Sequence, residues 1–257
     1  AEIHTQTGLL DALTIEQAFI NYSVNPNFGI SFGRQLQLLG YEGDEATDLH
    51  QISHAYQFAD NFFNLAKDGR GKTALSNTGL VVSDRLNRHY NDGVRFNFNA
   101  GKFGLALGLS NDMTGSGDSL AGDSFGLDLQ AAYVIMPGLE ARVGYAMQEQ
   151  ASQEKVDQIN AWLSYQRGSF TGAFEINDWD IAGVDGWSYM LMGNYQLNST
   201  FGFTVRYSQE NYSGFLDSYK VSLAPSLNVS ENWALALEYS FGELDVYGTT
   251  VGGGTHD

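Results

Sequence analysis

The 257-residue chain contains no cysteine, only 3 prolines, and only 13 lysines and arginines against 30 aspartates and glutamates. Without cysteine it has no disulfide, no thiolate nucleophile and no cysteine-ligated metal. The formal net charge of −17 argues against a nucleic-acid partner, because too few cations are present to neutralise phosphates. The longest clearly apolar run, 131–136, is far shorter than the ~20 residues that a membrane-spanning helix needs.

Apolar and polar residues alternate with a period of two almost from end to end, which indicates β-strands with two different faces. Val94, Phe96 and Phe98 alternate with polar residues, a turn follows at 99–102, and the alternation resumes at Phe103. Glycine and asparagine suit such turns because they tolerate positive φ. The same pattern predicts twelve strands in six hairpins.

Three features favour a membrane-embedded barrel over a soluble all-β fold. On nearly every strand, small or polar side chains occupy one face and bulky apolar side chains occupy the other. Aromatic residues gather at both strand ends, as in the girdles of transmembrane barrels. Short turns alternate with long polar loops, which are expected at 41–91, 111–124, 150–157, 177–186 and 209–218 and after 242. The predicted fold is an all-β, transmembrane, antiparallel up-and-down β-barrel that forms one domain over 1–257.

Several short phrases occur in order along the first part of the chain. They are Asn21-Tyr22, Phe32-Gly33-Arg34-Gln35-Leu36, Leu39-Gly40-Tyr41-Glu42, 53–58, 92–96 and 109–112. These phrases resemble Gram-negative outer-membrane porins, and in particular the OmpL-like β-barrel porin group. The resemblance covers about residues 1–112. It implies a diffusion channel in the bacterial outer membrane.

The strand count raises a question about the ends of the barrel. With twelve strands, both ends of the series would lie on the long-loop side, whereas single-chain bacterial barrels usually begin and end in the periplasm. We therefore expect one strand to be missing from each end of this chain, which gives fourteen in the intact barrel.

Residues that alternate with the lipid face would point into the lumen. The charged residues predicted to line the pore are Glu16, Arg34, Arg95, Asp128, Arg142, Glu175, Arg206, Lys220 and Glu238. Arg34 falls on the apolar register of its strand, so it needs a bulge at Gly33 or a position at the membrane edge. Two interpretations stay open. The charges set ion selectivity through a transverse field, or they pair with neighbours inside a polar, nearly neutral wall.

The connection 41–91 is too long to be a plain turn. It begins acidic and ends basic, and its candidates for a constriction loop are Glu42, Asp44, Glu45, Asp48, Arg85 and Arg88. Such a loop would fold into the pore and narrow it. The alternative is an external loop that covers the rim or packs against a neighbouring protomer.

Other chemistry finds little support in the sequence. His50 and His54 lack a third ligand, so no metal and no cofactor is expected. Ser83, Asp84 and His89 form the best constellation for a hydrolase, but such residues coexist by chance in any long loop. An enzyme is therefore not expected.

The predicted function is an outer-membrane porin, a water-filled channel for passive diffusion of small hydrophilic solutes or ions. Its expected partners are outer-membrane lipid and those solutes, with a homotrimer or a partner protein as further alternatives and no nucleic acid. The alternatives to a porin are a non-conducting barrel that acts as a structural or docking partner or adhesin, and a barrel hydrolase.

Overall fold

The computed structural model describes residues 2–7, 13–42, 50–56, 74–75, 80–81, 90–111, 113, 126–148, 156–181, 184–214, 216–230, 233–246 and 249–256. Within these ranges the regular structure is entirely β. The strands are β1 (Glu2–Thr7), β2 (Leu13–Asn25), β3 (Phe28–Leu36), β4 (Ala74–Leu75), β5 (Leu80–Val81), β6 (Tyr90–Ala100), β7 (Phe103–Ser110), β8 (Gly126–Met136), β9 (Leu139–Gln148), β10 (Val156–Arg167), β11 (Phe170–Ile181), β12 (Val184–Gln196), β13 (Phe201–Tyr212), β14 (Leu216–Ser230), β15 (Trp233–Ala236), β16 (Tyr239–Val246) and β17 (Thr249–His256). A search of the same ranges finds no helix long and apolar enough to cross a membrane.

All strands except β4 and β5 form one antiparallel sheet. Its order is β1-β2-β3-β6-β7-β8-β9-β10-β11-β12-β13-β14-β16-β17, with β15 also paired to β14, and β4 and β5 form a separate two-stranded ladder. Each strand of the large sheet therefore lies beside its neighbour in sequence. This up-and-down arrangement confirms the predicted fold class.

β15 and β16 are two parts of one strand beside β14. The pairs Ser226↔Ala236 and Leu223↔Tyr239 belong to the same register. Between them the Leu237 N–H donates to the Pro225 carbonyl at 3.1 Å. Pro225 has no N–H to donate in return, so the ladder is interrupted at this point. Counted this way, fourteen strands follow one another along the sheet.

The expected number of fourteen strands agrees with this path, but the expected source of the last two is wrong. β1 and β17 lie beyond the twelve strands of the predicted hairpins, and both consist of residues of this chain. Alternation could not reveal them. β1 has only one apolar residue, Ile3, and β17 contains the run Gly252, Gly253 and Gly254, which has no side chains to alternate.

The connections differ at the two ends of the sheet. At one end they are all short, at 26–27, 101–102, 137–138, 168–169, 197–200 and 231–232. At the other end 37–89, 111–125 and 149–155 are long, but 182–183, 213–215 and 247–248 are short. The predicted long loops at 177–186, at 209–218 and after 242 are therefore wrong. Strands continue through these stretches, and their outward residues are polar because they lie beyond the apolar band, which made them look like loops.

The sheet is polar on one face and apolar on the other, and the polar face is the buried one. On β13 the alternate residues Thr204, Arg206 and Ser208 are at most 2% exposed, whereas the adjacent residues Phe203 and Val205 are 38% and 40% exposed. A water-soluble protein shows the opposite arrangement. An apolar exterior around a polar interior is what a barrel in lipid requires.

Aromatic side chains lie at both borders of the apolar outer face. Near the short turns, Phe170 pairs with Tyr195 on the next strand. At the opposite border a row of rings crosses β12, β13 and β14 with centroids 5.9, 5.7 and 6.3 Å apart, and its members are Trp187, Tyr189, Tyr207 and Tyr219. Rings with an apolar body and a polar edge are typical of the interface between lipid and water.

Candidate functional site in the barrel lumen

Seven of the predicted pore-lining charges occupy inward positions of the sheet. Each alternates with outward neighbours that are apolar or exposed, and they are Arg95, Asp128, Arg142, Glu175, Arg206, Lys220 and Glu238. The side chain of Glu16 lies outside the described residues.

Arg34 is the exception among these predictions. The β2–β3 register runs without a shift from Ala18↔Arg34 to Ile20↔Phe32, so no bulge at Gly33 turns the side chain inward. Arg34 therefore shares the outward face with Phe32. Its Nη1 donates to Asp92 Oδ2 at 3.3 Å. The structure thus does not place Arg34 in the lumen.

Of the constriction-loop candidates, only Glu42 lies in the described part of the chain. Asp44, Glu45, Asp48, Arg85 and Arg88 fall outside the described residues. The stretches on either side of 43–49 both contact inward side chains. We call 37–42 the first lumen segment and 50–56 the second lumen segment.

The first lumen segment runs across the inner face from strand to strand. Its N–H groups donate in turn to side chains of β8, β10 and β11, namely Leu38 to Asp128 Oδ2 at 2.9 Å, Gly40 to Asn160 Oδ1 at 3.3 Å and Tyr41 to Glu175 Oε2 at 3.2 Å. The next residue, Glu42, pairs with Arg206 of β13. Four residue steps reach at most ~14 Å, whereas five strand spacings measure ~24 Å around the wall. The segment must therefore cut inside the wall and occupy part of the lumen.

Side-chain packing holds this segment at both ends. Leu39 packs with Met113 and Ala146 in a small buried cluster. At the other end Tyr41 meets Trp162 edge to face, with ring centroids 5.3 Å apart. Burial raises the pKa of the Tyr41 hydroxyl, and the nearby Glu42 and Glu175 carboxylates raise it further. The hydroxyl, which is already neutral near pH 7 at its ordinary pKa, therefore stays neutral to higher pH.

The second lumen segment is held by four buried charged residues, Glu42, Arg206, Lys220 and Glu238, which we call the charge cluster. The Ile52 and Ser53 N–H groups donate to Glu238 Oε2 at 2.9 and 2.7 Å. Lys220 Nζ donates to Ser53 Oγ at 3.1 Å and to the His54 carbonyl. The Ala55 N–H donates to Glu42 Oε2 at 2.9 Å.

The cluster is sealed from solvent. The side chains of Arg206, Glu42 and Glu238 are 0%, 6% and 0% exposed, and Lys220 is 2% exposed. Arg206 pairs with Glu42 and lies 3.9 Å from Glu238. Two acids and two bases balance each other here, as buried charges require. These charges therefore face the second lumen segment and not water.

The structure adds charged residues that the sequence reasoning missed. Glu140 accepts from Arg142 Nε at 2.6 Å, and Glu210 is an inward residue of β13 that is 4% exposed. Both occupy inward positions, so the alternation itself could have found them. With these two added, the described wall carries four basic and five acidic residues, so its net charge is −1, and Glu42 of the first lumen segment adds one more acid.

Metal and hydrolase candidates gain no support from the described residues, among which no group of three potential metal ligands occurs. The backbones of His50 and His54 serve the second lumen segment instead, since Thr204 Oγ1 donates to the His50 carbonyl at 2.9 Å and Lys220 binds the His54 carbonyl. Ser83, Asp84 and His89 lie outside the described residues.

Comparisons with known proteins point to one fold. No protein-family model matches the chain, and no curated protein matches it. Solved structures do match. The outer-membrane protein OmpT of Vibrio cholerae is 13% identical over 94% of this chain and 78% of that one, with a TM-score of 0.60. A porin is 14% identical over 99% of this chain and 90% of that one, with a TM-score of 0.59, and the outer membrane channel DcaP of Acinetobacter baumannii is 11% identical over 99% of this chain and 76% of that one, with a TM-score of 0.60.

The chain has the fold of bacterial outer-membrane β-barrels. Its apolar exterior and polar interior make it an integral barrel of that membrane. At 11–14% identity the likeness shows the fold alone, and it does not single out the OmpL-like group.

Proposed function

We propose that this protein is a porin, a water-filled outer-membrane channel through which small hydrophilic solutes or ions diffuse passively. The observation that carries the proposal is the barrel's polar interior with a chain segment bonded across it. Polar lumens are typical of diffusion barrels. Passive diffusion needs no covalent step, so the proposal assigns no catalytic role. The phrases at 21–22 and 32–42 support membership of the OmpL-like group within this class.

In this proposal the two lumen segments form the constriction. The first segment runs inside the wall, and the charge cluster holds the second against β13, β14 and Glu238 between β15 and β16. Glu42 of the first segment links the two, because it accepts a hydrogen bond from the Ala55 N–H of the second segment and also pairs with Arg206 of β13. Asp44, Glu45, Asp48, Arg85 and Arg88 belong to the same connection and remain candidates for the mouth of the pore.

Conductance across a planar lipid bilayer tests the proposal. Refolded protein, checked for β-structure by circular dichroism, is expected to give discrete, ohmic current steps that scale with the conductivity of the bathing salt. Detergent buffer and heat-denatured protein serve as controls. Folded protein that inserts but passes no current above these controls would contradict the porin proposal.

The sealed charge cluster favours one other candidate, a non-conducting barrel that serves as a docking or structural partner. Its support is that the second lumen segment covers inward residues of β13 and β14 and Glu238 between β15 and β16. The two candidates differ in one measurement, because a plugged barrel passes current only after the segment is displaced.

We also propose that the barrel assembles as a homotrimer. The support is a Vibrio cholerae OmpT structure described as a trimer form, which matches this chain at 12% identity with a TM-score of 0.55. Native mass spectrometry in detergent is expected to show three copies, and a single copy at all protein concentrations would contradict this assembly.

A further inference from the structure

The half of the lumen near the short turns, which we call the turn-side vestibule, is almost free of charge. It is defined by the two inward positions nearest the short turn on each of β2, β3 and β6 to β15. On β9 these positions hold Glu140 and Arg142. On every other one of these strands they hold glycine, alanine, valine, serine, threonine, asparagine or glutamine. One pair therefore supplies all the wall charge of the vestibule in the described residues.

That pair is held rigidly in the lumen. Arg142 Nε donates to Glu140 Oε1 at 2.6 Å, and its Nη1 donates to Gln130 Oε1 at 2.9 Å. The guanidinium also lies 4.9 Å above the Trp162 ring, which in turn contacts Tyr41 of the first lumen segment. The pair is thus fixed directly beside the segment that narrows the lumen.

Exposure separates this pair from the charge cluster. The Arg142 and Glu140 side chains are 38% and 31% exposed, whereas the charges of the cluster are between 0% and 6% exposed. A charge acts on a passing ion through the water that they share. A charge that is sealed behind a chain segment and neutralised by a partner acts far less.

We infer that Glu140 and Arg142 form the ion-selectivity site of this channel, and that Arg206, Lys220, Glu238 and Glu42 hold the lumen segments without selecting ions. The inference rests on the proposed porin function. Because the pair is neutral as a whole, the unmodified channel discriminates weakly between small cations and anions. Removing Arg142 leaves the site with a net negative charge, and removing Glu140 leaves it with a net positive charge.

Reversal potentials in a potassium chloride gradient test this assignment. Arg142→Gln is expected to shift selectivity towards potassium and Glu140→Gln towards chloride, each by about two- to fivefold in permeability ratio, as follows from one unit charge acting across several ångströms of water. The double variant is expected to return close to the unmodified channel. Both shifts should shrink as the salt on the two sides is raised together, because salt screens exposed charges.

Arg34→Gln is the matched control. Arg34 is 39% exposed and pairs with a carboxylate at 3.3 Å, much as Arg142 does, but it lies on the outward face. The Arg34→Gln substitution is expected to leave the reversal potential unchanged. Channels that conduct normally but show equal reversal potentials in Arg142→Gln, Glu140→Gln and the unmodified protein would overturn this inference and leave the porin proposal intact. Absence of conductance in all of them would instead overturn the porin proposal.

Cysteine accessibility gives a second test, and the chain has no cysteine to interfere. Ser164 lies opposite Glu140 in the β9–β10 register, whereas Ser208 is 2% exposed beneath the second lumen segment. A charged methanethiosulfonate reagent is expected to modify Ser164→Cys and change its current, and to leave Ser208→Cys unmodified. The reverse order of reactivity would contradict the assignment.

Discussion

At the scale of single residues, Glu238 has the largest role in holding the lumen together. It follows Leu237, the residue opposite Pro225 where the ladder is interrupted, and accepts from the Ile52 N–H, the Ser53 N–H and the Ser53 hydroxyl. Ser240 Oγ also donates to it at 2.8 Å. A carboxylate with this many donors stays ionised and stabilises the backbone that it binds.

Glu238→Ala is expected to release the second lumen segment. Removing one partner of a buried charge cluster costs about 3–5 kcal/mol, because Arg206 and Lys220 would lose one of the two carboxylates of the cluster. Hydrogen exchange should show lost protection at the amides of Ile52 and Ser53. Glu243→Ala, an exposed and outward residue of the same strand, is the control. Unchanged protection in Glu238→Ala would show that the cluster does not hold the segment.

At the scale of elements, β11 and β12 reach further than a membrane crossing requires. Trp179 is 2% exposed near the end of β11 and packs on Tyr212 with ring centroids 5.2 Å apart. Gly186 makes room for it, since a Cβ there would lie 2.4 Å from the indole nitrogen. The outward residues of this stretch include the acids Asp178 and Asp180, so its composition alone suggests a loop. The inward packing of Trp179 shows that it is strand.

Trp179→Ala tests whether this stretch is strand. Loss of a buried tryptophan is expected to cost about 3–5 kcal/mol of unfolding free energy, measured in urea with the protein in lipid vesicles. Trp187→Ala is the comparison, because Trp187 is on the outward face and 37% exposed. A tryptophan in a long solvated loop would show almost no cost, and that result would contradict the short β11–β12 connection.

At the scale of the whole molecule, the apolar exterior and polar interior decide in which medium the barrel is stable. Val143 is 53% exposed on the face opposite its neighbour Arg142. The same strand thus carries a lipid-facing residue and a lumen charge at successive positions. Only a barrel in lipid makes both favourable, because lipid accepts the valine and the polar interior accepts the arginine.

Val143→Arg is expected to destabilise the barrel in vesicles by about 2–4 kcal/mol if the position lies near the bilayer midplane. Asn211→Arg, on the outward face beyond the aromatic row, should cost much less, since water and headgroups accept its charge. Urea unfolding in vesicles measures both. Equal and small effects would show that the outer face of β9 does not meet lipid.

Much of the fold follows from local pattern. Alternation located twelve strands and put Arg95, Arg142 and Arg206 on the inner face, because each strand residue points opposite to the one before it. It failed for β17, whose glycines have no side chain, and at 177–186, where polarity suggested a loop. For Arg34 two explanations were open, a bulge at Gly33 or a position at the membrane edge, and the continuous register excludes the bulge.

By itself the sequence determined which side chains face lipid and which face the lumen, since that depends only on parity along each strand. It could not determine which lumen charges meet water. That depends on contacts such as Ser53 with Glu238, 185 positions apart, and Leu38 with Asp128, 90 apart. Tertiary structure alone decided that the charge cluster is sealed and that the Glu140–Arg142 pair is partly exposed, because burial is a property of the folded neighbourhood and not of the residue.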